Sequence, residues 1–150
     1  MKILRVIVIA LMFCVAGCAR QQTVTPTPLL DGMMSYQSFA QIKTLPKLKT
    51  AKWKVIEKSE VLVVETKYTH LNFTGKATFR FYHNRLWQTW FVPSNVTLYN
   101  NALIKTLGNA VNSPTEAHLG NTAITFDKNR ALWSDENLSQ ECNDWINRYA

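Results

Sequence analysis

The sequence predicts an α+β fold, a small single domain in which three helices pack on an antiparallel sheet. Residues 76–82 alternate apolar and polar side chains, as a half-buried strand does. Residues 86–92 follow after a turn at 83–85, so the two segments predict a β-hairpin. Pro93-Ser94-Asn95 is predicted to open a helix over 96–107, whose apolar side chains lie on one stripe that ends at Gly108. A hairpin followed directly by an amphipathic helix is the basis of the α+β prediction.

One helix and two strands are predicted before this hairpin. Ser35 is predicted to cap a first helix that runs to Lys43 and stops before Pro46. Residues 53–57 and 60–68 are strand-like, the second because of its β-branched run. These two strands are expected to extend the sheet beside the hairpin.

The C-terminal part predicts a second hairpin and a last helix. Strands are predicted at 123–126 and 131–133, which with the earlier segments makes six, whereas 109–120 shows no clear period and is expected to be irregular. Asp135 and its neighbours provide the N-cap of the last helix. One face of that helix carries Leu138, Cys142, Trp145 and Tyr149. Cys142 is therefore expected to be buried, in a structural role.

Two segments resemble each other at a shift of 45 residues. FRFYHNRLW at 79–87 aligns with ITFDKNRALW at 124–133, which matches Phe81 with Phe126. Both segments contain an Asn-Arg pair in the turn, and both precede a helix. Either the domain consists of two hairpin-plus-helix repeats that stack to complete one core, or the shared turn is a coincidence.

The N-terminus has the form of a secretory signal peptide. Lys2 and Arg5 precede an apolar run at 6–15 that is too short to span a membrane as a helix. Val15-Ala16-Gly17-Cys18 then resembles the lipobox of bacterial lipoproteins, in which an aliphatic residue, a small residue and Gly or Ala precede an invariant Cys. The resemblance implies cleavage after residue 17 and acylation of Cys18. The alternative is an ordinary export signal with a chance Cys near its end.

Acylation of Cys18 would determine where the protein works. Two or more acyl chains give stable membrane attachment, whereas one chain gives only marginal attachment. Ala19 follows the Cys at the position where, in that family, an Asp tends to retain a lipoprotein in the inner membrane. The resemblance therefore implies a protein that is anchored in the outer membrane and faces the periplasm.

The chain divides into a signal peptide at 1–17, a lipidated Cys with a flexible tether at 18–30, and an α+β periplasmic domain at 31–150. The tether is polar and rich in Thr and Pro, so it is expected to be extended. Loss of the signal lowers the formal net charge from +7 to +5. It also leaves Cys142 as the one free thiol, so neither an intramolecular disulfide nor a Cys-based zinc site is expected.

The domain resembles the small periplasmic lipoproteins of the SmpA/OmlA group. The matching residues are Asp31-Gly32-Met33 before the first helix, Trp53 after it, and Phe79 and Phe81 in the hairpin. The group's Leu-Gly-x-Pro is here Thr44-Leu45-Pro46, without the glycine, and the C-terminal hairpin and helix are additional. Because that group has a role in outer-membrane protein assembly, the resemblance implies a binding or scaffolding role.

The sequence contains no recognisable catalytic motif. No serine occurs in a nucleophile elbow, and neither an HExxH motif nor a phosphate-binding loop is present. His70, His83 and His118 occur in predicted turns or loops, so they are expected at the surface. We therefore predict a protein that is not an enzyme and uses neither a cofactor nor a metal. Nucleic acid is disfavoured as a partner because the signal directs the domain out of the cytoplasm.

A lysine-rich stretch follows the first predicted helix. Between residues 43 and 58, six lysines are opposed locally only by Glu57. The prediction is that four of them face an anionic membrane surface, where each Lys adds about 1 kcal/mol of attraction: Lys47, Lys49, Lys52 and Lys54. The alternative is a solvated face that keeps the protein soluble.

The first hairpin is rich in aromatic side chains. Trp87 and Trp90 are three residues apart, so a regular strand would point them to opposite faces, with Phe91 on the side of Trp87. Aromatic and arginine side chains are enriched at binding hot spots. The predicted partner-binding surface therefore consists of Trp87, Trp90, Phe91, Arg80 and Arg85. The alternative is that helices cover both faces of the hairpin.

Two functions are consistent with these features. The first is a non-catalytic, lipid-anchored envelope protein that binds another envelope protein or complex in an assembly or scaffolding role. The second is a periplasmic inhibitor or immunity-type lipoprotein that binds an enzyme. Both functions predict protein binding, and they differ in the partner.

Overall fold

The computed structural model describes residues 24–149 of the chain. The predicted signal peptide, the lipobox with Cys18 and the first part of the predicted tether lie outside this range. Within it, the protein has an α+β fold with one eight-stranded antiparallel sheet and three helices.

The sheet has the strand order β1-β2-β3-β4-β8-β7-β6-β5. Its strands are β1 (Lys54–Lys58), β2 (Val61–His70), β3 (Phe73–Tyr82), β4 (Arg85–Pro93), β5 (Val111–Ser113), β6 (Glu116–Leu119), β7 (Thr122–Phe126) and β8 (Ala131–Asp135). The first four strands form one meander and the last four form another. The two meanders join where β4 pairs with β8, through pairs such as Trp90 with Leu132.

A helix follows each meander. α2 (Val96–Leu107) comes directly after β4, and α3 (Glu136–Tyr149) comes directly after β8. A shorter helix, α1 (Phe39–Thr44), precedes the first meander. None of the helices in the described part of the chain has the length and apolar character needed to cross a membrane.

Apolar side chains are buried on both faces of the sheet. The larger cluster, on what we call face A, contains Phe79, Phe81 and Phe91 of the sheet together with side chains from two helices, Ile42 of α1 and Tyr99 and Leu103 of α2. The smaller cluster, on face B, contains Val61, Val63, Tyr82 and Trp87 of the sheet and Leu138 and Cys142 of α3. Successive strand residues alternate between the two clusters, as the pleat of a strand requires.

Most of the predicted elements are confirmed. The hairpin turn contains His83 and Asn84, with positive φ values of 47° and 59°, the conformation that Asn tolerates better than most residues. Asn95 caps α2 by accepting a hydrogen bond from the backbone N–H of Leu98, and Gly108 follows the helix with a φ of 53°. The burial of Cys142, which is 1% exposed, is also confirmed.

Two predictions about the elements are wrong. The sheet has eight strands rather than the six predicted segments, because the segment predicted to be irregular contains β5 and β6. These strands are short and polar, and the pairing of β6 with β7 and of β5 with β6, rather than any period of their own, defines them. The first helix begins after Ser38, not after Ser35. Ser38 and Gln41 form a capping box, whereas Tyr36 has a φ of 65° that a helix cannot contain.

The packed domain begins before Asp31. Leu29 and Leu30 are 3% and 0% exposed and belong to the face A core. The backbone N–H of Thr27 donates to Ser35 Oγ over 2.9 Å, and the Thr27 hydroxyl contacts that of Thr122 in β7. Part of the segment predicted as tether is therefore held against the sheet.

Candidate functional site

A β-bulge in β4 determines which aromatic side chains share a face. Phe81 pairs with Leu86 and Arg80 pairs with Gln88, so Trp87 is an extra residue without a partner on β3. An extra residue shifts the alternation of side chains by one position. Trp87 consequently belongs to face B, and Phe91 lies in the core on face A.

The prediction that Trp87 and Trp90 lie on opposite faces is therefore wrong, as is the placement of Phe91 beside Trp87. Arg80 contacts both indole rings, with its Cζ atom 5.1 Å from the Trp87 centroid and 5.4 Å from the Trp90 centroid. A regular strand would have separated the two tryptophans, and the bulge brings them to the same side of the sheet.

Trp90 is the centre of a group of polar and aromatic side chains on face B. Gln88 Oε1 accepts hydrogen bonds from Arg80 Nη1 and from Trp90 Nε1, each over 2.9 Å. Arg130, which directly precedes β8, places its Cζ atom 4.0 Å from the Trp90 centroid. The two guanidinium groups thus reach the indole from the two strands that flank β4. We call Arg80, Gln88, Trp90 and Arg130 the Trp90 cluster.

The two tryptophans differ in exposure because α3 packs on one of them. Trp87 is 6% exposed and belongs to the cluster that contains Leu138 and Cys142 of α3. Trp90 is only partly buried, and no residue of α3 is among its ring or hydrogen-bond contacts in residues 24–149. We call the part of face B around Trp90 the open face. Besides the Trp90 cluster, it presents Lys67, Lys76, Thr125 and Leu132.

Arg85, which was predicted to bind a partner, is paired within the chain. Its guanidinium donates two hydrogen bonds to the Glu141 carboxylate of α3, over 2.6 Å and 3.1 Å. These hydrogen bonds raise the pKa of the Arg85 guanidinium further above its ordinary value. Arg85 therefore attaches α3 to the hairpin and is not part of the open face.

The lysine-rich stretch lies along the β1 edge of the sheet. All five residues of β1 are exposed, and Val55 and Ile56 are 54% and 48% exposed. Lys47 Nζ is 2.5 Å from Asp31 Oδ2, so it already has an acidic partner. Within the described range, no salt bridge involves the other predicted membrane-facing lysines: Lys49, Lys52 and Lys54.

The expectation that all three histidines lie at the surface is wrong for His70. This side chain is 9% exposed, and its Nδ1 atom is 2.8 Å from the Tyr99 hydroxyl oxygen. It also packs edge-on against Phe91 and Trp133. Burial lowers the pKa of the His70 imidazole below its ordinary value. His70 is the last residue of β2, and it is buried because α2 covers that end of the sheet.

A polar group that the sequence did not indicate lies near His70. Tyr68 donates a hydrogen bond to Asp31 Oδ2 over 2.6 Å, beside the ion pair of Asp31 with Lys47. Burial alone would raise the pKa of Asp31, but hydrogen bonds from Lys47 and Tyr68 lower it below its ordinary value. Burial and the hydrogen bond to Asp31 raise the pKa of Tyr68. Because each polar group has a partner, this arrangement stabilises the fold.

The two other histidines are paired with glutamates at the surface. His83 Nε2 is 3.3 Å from Glu60, and His118 Nε2 is 3.5 Å from Glu136. No group of three His, Cys, Asp or Glu side chains in residues 24–149 is arranged to hold a metal ion. The Trp90 cluster is the candidate site, because its indole and guanidinium groups are partly exposed and, together with the Gln88 amide, are suited to binding.

Comparison with known proteins returned no similarity. No known protein family matches the sequence, and no match was found among curated proteins or among solved structures.

Proposed function

We propose that the chain is a non-catalytic, lipid-anchored envelope protein that docks another envelope protein or complex on its open face. Cys18 would attach the protein to the periplasmic side of the outer membrane, and the domain would act in assembly or scaffolding, as in the SmpA/OmlA group. The observation that carries this proposal is the Trp90 cluster, in which a partly exposed tryptophan lies between two arginines beyond the reach of α3.

The composition of the open face supports protein binding. Tryptophan and arginine are the residue types most enriched among binding hot spots, because each offers a large contact area with a directional polar group. Gln88 immobilises both Arg80 and Trp90, so little conformational entropy is lost when a partner binds them. Trp87, Phe91 and Arg85 support this surface from below or from its edge and are not contact residues in this proposal.

The lysine-rich edge is proposed to rest on the membrane. Lys49, Lys52 and Lys54 would contribute electrostatic attraction to anionic lipid, while the exposed Val55 and Ile56 provide an apolar contact beside them. Lys47 is a weaker contributor than predicted, because Asp31 neutralises its charge locally. Two attachments, the lipid and the edge, would orient the open face relative to the bilayer.

We also infer that the sheet consists of two repeated units, each followed by a helix, although α2 packs on face A and α3 on face B. Each unit is a four-stranded meander followed by a helix, which enlarges the hairpin-plus-helix repeat that the sequence suggested. Phe81 and Phe126, matched in the sequence, both occur in the face A core. A single meander on its own would leave apolar side chains exposed to water. Two units that share one sheet bury more apolar surface than either unit does alone.

The docking proposal is tested by recovery of partners from solubilised envelopes. Native protein should recover a resident outer-membrane component, and Trp90→Ala should lose most of it without a change in membrane attachment. The matched control is Leu98→Ala, which removes another exposed apolar side chain, 57% exposed, from α2. Equal recovery by native protein and Trp90→Ala would contradict the use of the open face.

The same experiment separates the two classes of partner. Recovery of resident components supports the assembly or scaffolding role. If resident components are absent and the protein binds only an added cell-wall hydrolase or toxin, the function is that of an inhibitor or immunity-type lipoprotein.

A further inference from the structure

We propose that the Trp90 cluster is a carboxylate-binding site, and that the partner presents an acidic segment to it. The inference takes from the proposed function that the partner is a protein. It adds the chemistry by which that protein is recognised. Its foundation is that two stacked guanidinium groups on the open face lack a carboxylate partner in the described chain.

Arg80 and Arg130 retain most of their hydrogen-bonding capacity. A guanidinium has five N–H donors, and Arg80 uses one side-chain bond, to the neutral Gln88. Between residues 24 and 149, the Arg130 side chain forms a contact with the Trp90 ring and no side-chain hydrogen bond. Planar donors of this kind match a carboxylate in two parallel bonds.

The neighbouring acids are already engaged elsewhere. Asp127 precedes Arg130 in the turn, but its Oδ1 atom accepts from the backbone N–H groups of Asn129 and Arg130 over 2.7 Å and 3.0 Å. Glu65, on face B, lies 2.9 Å from Lys76 Nζ and accepts a hydrogen bond from Thr78. Neither carboxylate forms a salt bridge with an arginine of the Trp90 cluster.

Arg85 provides an internal comparison. It occurs in the same hairpin, and the chain supplies Glu141 from α3 to pair with it in two hydrogen bonds. The fold thus satisfies the hairpin arginine that supports its own structure. The arginines of the Trp90 cluster contact an indole ring instead. Within the described chain, no carboxylate accepts a hydrogen bond from their remaining N–H donors.

The surroundings are positive as well. The register places Lys67, Lys76 and Arg80 on face B. Glu65, the acidic residue of that β2–β3 surface, pairs with Lys76, so Lys67 and Arg80 remain without an acidic partner there. Arg130 adds a further positive charge beside Trp90. Charge complementarity therefore favours an acidic occupant, and it steers such a partner towards the face.

The cluster also indicates what should accompany the carboxylate. Trp90 is partly exposed, and Leu132, its cross-strand neighbour on β8, is partly exposed too. An apolar side chain next to the acidic residue would contact this pair while the carboxylate binds a guanidinium. The expected ligand is thus a segment in which Asp or Glu alternates with apolar residues, lying across β3, β4 and β8.

The test uses the full mature protein in detergent and two labelled peptides. One peptide is composed of Glu, Leu and Ser, and the other has each Glu replaced by Gln. Native protein should bind the Glu peptide about 10-fold more tightly, the difference expected for a charge-assisted pair. Arg130→Gln and Arg80→Gln should each weaken Glu-peptide binding about 5- to 10-fold, and added salt should weaken it further.

The matched control is Arg148→Gln, which removes an exposed arginine from the last turn of α3. Equal affinity for the two peptides, or equal loss in Arg148→Gln and Arg130→Gln, would overturn the inference. If Arg80→Gln does not fold, Arg130→Gln decides the test, because its side chain has no internal hydrogen bond in the described chain to lose.

Two further outcomes distinguish this inference from the proposed function. If partner recovery requires Trp90 but the Glu and Gln peptides bind equally, docking on the open face stands and acid recognition fails. If anionic vesicles or a phosphopeptide bind in an Arg130-dependent manner and the Glu peptide does not, the site recognises phosphate, and the carboxylate inference is wrong.

Discussion

At the scale of single residues, the neighbours of a side chain determine its role. Arg80 and Arg85 are close in the sequence and identical in chemistry. Arg85 is neutralised by Glu141 and holds a helix, whereas Arg80 stacks on two indole rings and keeps free donors. The composition of the hairpin indicated a binding surface, but it could not distinguish these two arginines.

Cys142 should act as a packing residue. Cys142→Ala should lower the free energy of unfolding by about 1–2 kcal/mol, as truncation of a small buried side chain does, and should leave partner recovery unchanged. Urea denaturation measures this loss. Burial also raises the pKa of the thiol, so native protein should react slowly with a thiol reagent at neutral pH. Rapid labelling of the folded protein would contradict the burial.

His70 should make stability depend on pH. Its folded-state pKa lies below the ordinary value of about 6.5, so the unfolded chain binds more protons between the two values. Stability is therefore full above about pH 6.5 and decreases as the pH falls towards the folded-state pKa. Unfolding at a series of pH values between about 7.5 and 5 should show a steeper decrease for native protein than for His70→Gln.

The comparison of slopes isolates His70 from the other histidines. His83 and His118 are present in both proteins, so their contributions cancel in the difference. His70→Gln is expected to be less stable at every pH, because the packing against Trp133 changes. Parallel pH profiles for the two proteins would show that His70 is not the group responsible.

At the scale of elements, one extra residue in β4 decides the character of the hairpin. Without the bulge, Trp87 and Trp90 would lie on opposite faces, one in the core and the other in solvent. With the bulge, both lie on the face of the sheet against which α3 packs. α3 contacts the end of that face that contains Val61, Tyr82 and Trp87, and the open face lies outside this cluster.

Because Trp87 is more buried than Trp90, replacing the two residues should have different effects on the stability of the fold. Trp87→Ala should lower the free energy of unfolding by about 3–5 kcal/mol, as removal of a buried aromatic ring does. Trp90→Ala should lower it by about 1 kcal/mol, since it loses stacking with two arginines at a partly exposed site. Thermal or urea unfolding of the two variants measures both values. Similar losses would mean that Trp90 is as much a part of the core as Trp87.

The β1 edge predicts weak binding to anionic membranes. A Cys18→Ser protein that begins at residue 18, and so lacks both the apolar run at 6–15 and the acylation site, should sediment with vesicles containing an anionic lipid and less with zwitterionic vesicles. A triple charge reversal, Lys49→Glu, Lys52→Glu and Lys54→Glu, should abolish that binding, since each lysine contributes about 1 kcal/mol near the surface. Lys105→Glu on α2 is the control. Equal sedimentation of all three proteins would show that the edge is a solvated surface.

At the scale of the whole molecule, the two meanders share one sheet through β4 and β8. The pairing places Arg130, from the second meander, against Trp90, from the first. The candidate site therefore belongs to neither meander alone. Any change that separates the two halves should remove the site while each meander keeps its own hydrogen bonds.

Attachment to the membrane should depend on one residue outside the described range. Cys18→Ser should prevent acylation and release the protein from membranes in cell fractionation, because the remaining lysine contacts are screened by salt. Metabolic labelling with a fatty acid should show incorporation into native protein and none into the variant. Continued tight association of the unlabelled variant with membranes at high salt would contradict the lipobox interpretation.

Local patterns predicted the elements that carry strong periods. The alternation in β3, the helical stripe and caps of α2 and the apolar face of α3 all correspond to observed elements. β5 and β6 were missed because their hydrogen bonds to neighbouring strands, and not their own side chains, define them. The candidate site was predicted in part, since Arg80 and Trp90 were named, while Arg130 lies far away in sequence and could not be associated with them.

The sequence by itself determined the α+β class, the main hairpin, the caps of α2 and the burial of Cys142, because these depend on contacts between near neighbours or on the side a residue occupies on its own helix. It also predicts the signal peptide and the lipidated Cys18. Only the tertiary structure decided that a bulge brings Trp87 and Trp90 to one face, that α3 packs on Trp87 rather than on Trp90, and that Arg130 completes the cluster. Those outcomes depend on strand register and on the pairing of β4 with β8, which are contacts between distant parts of the chain.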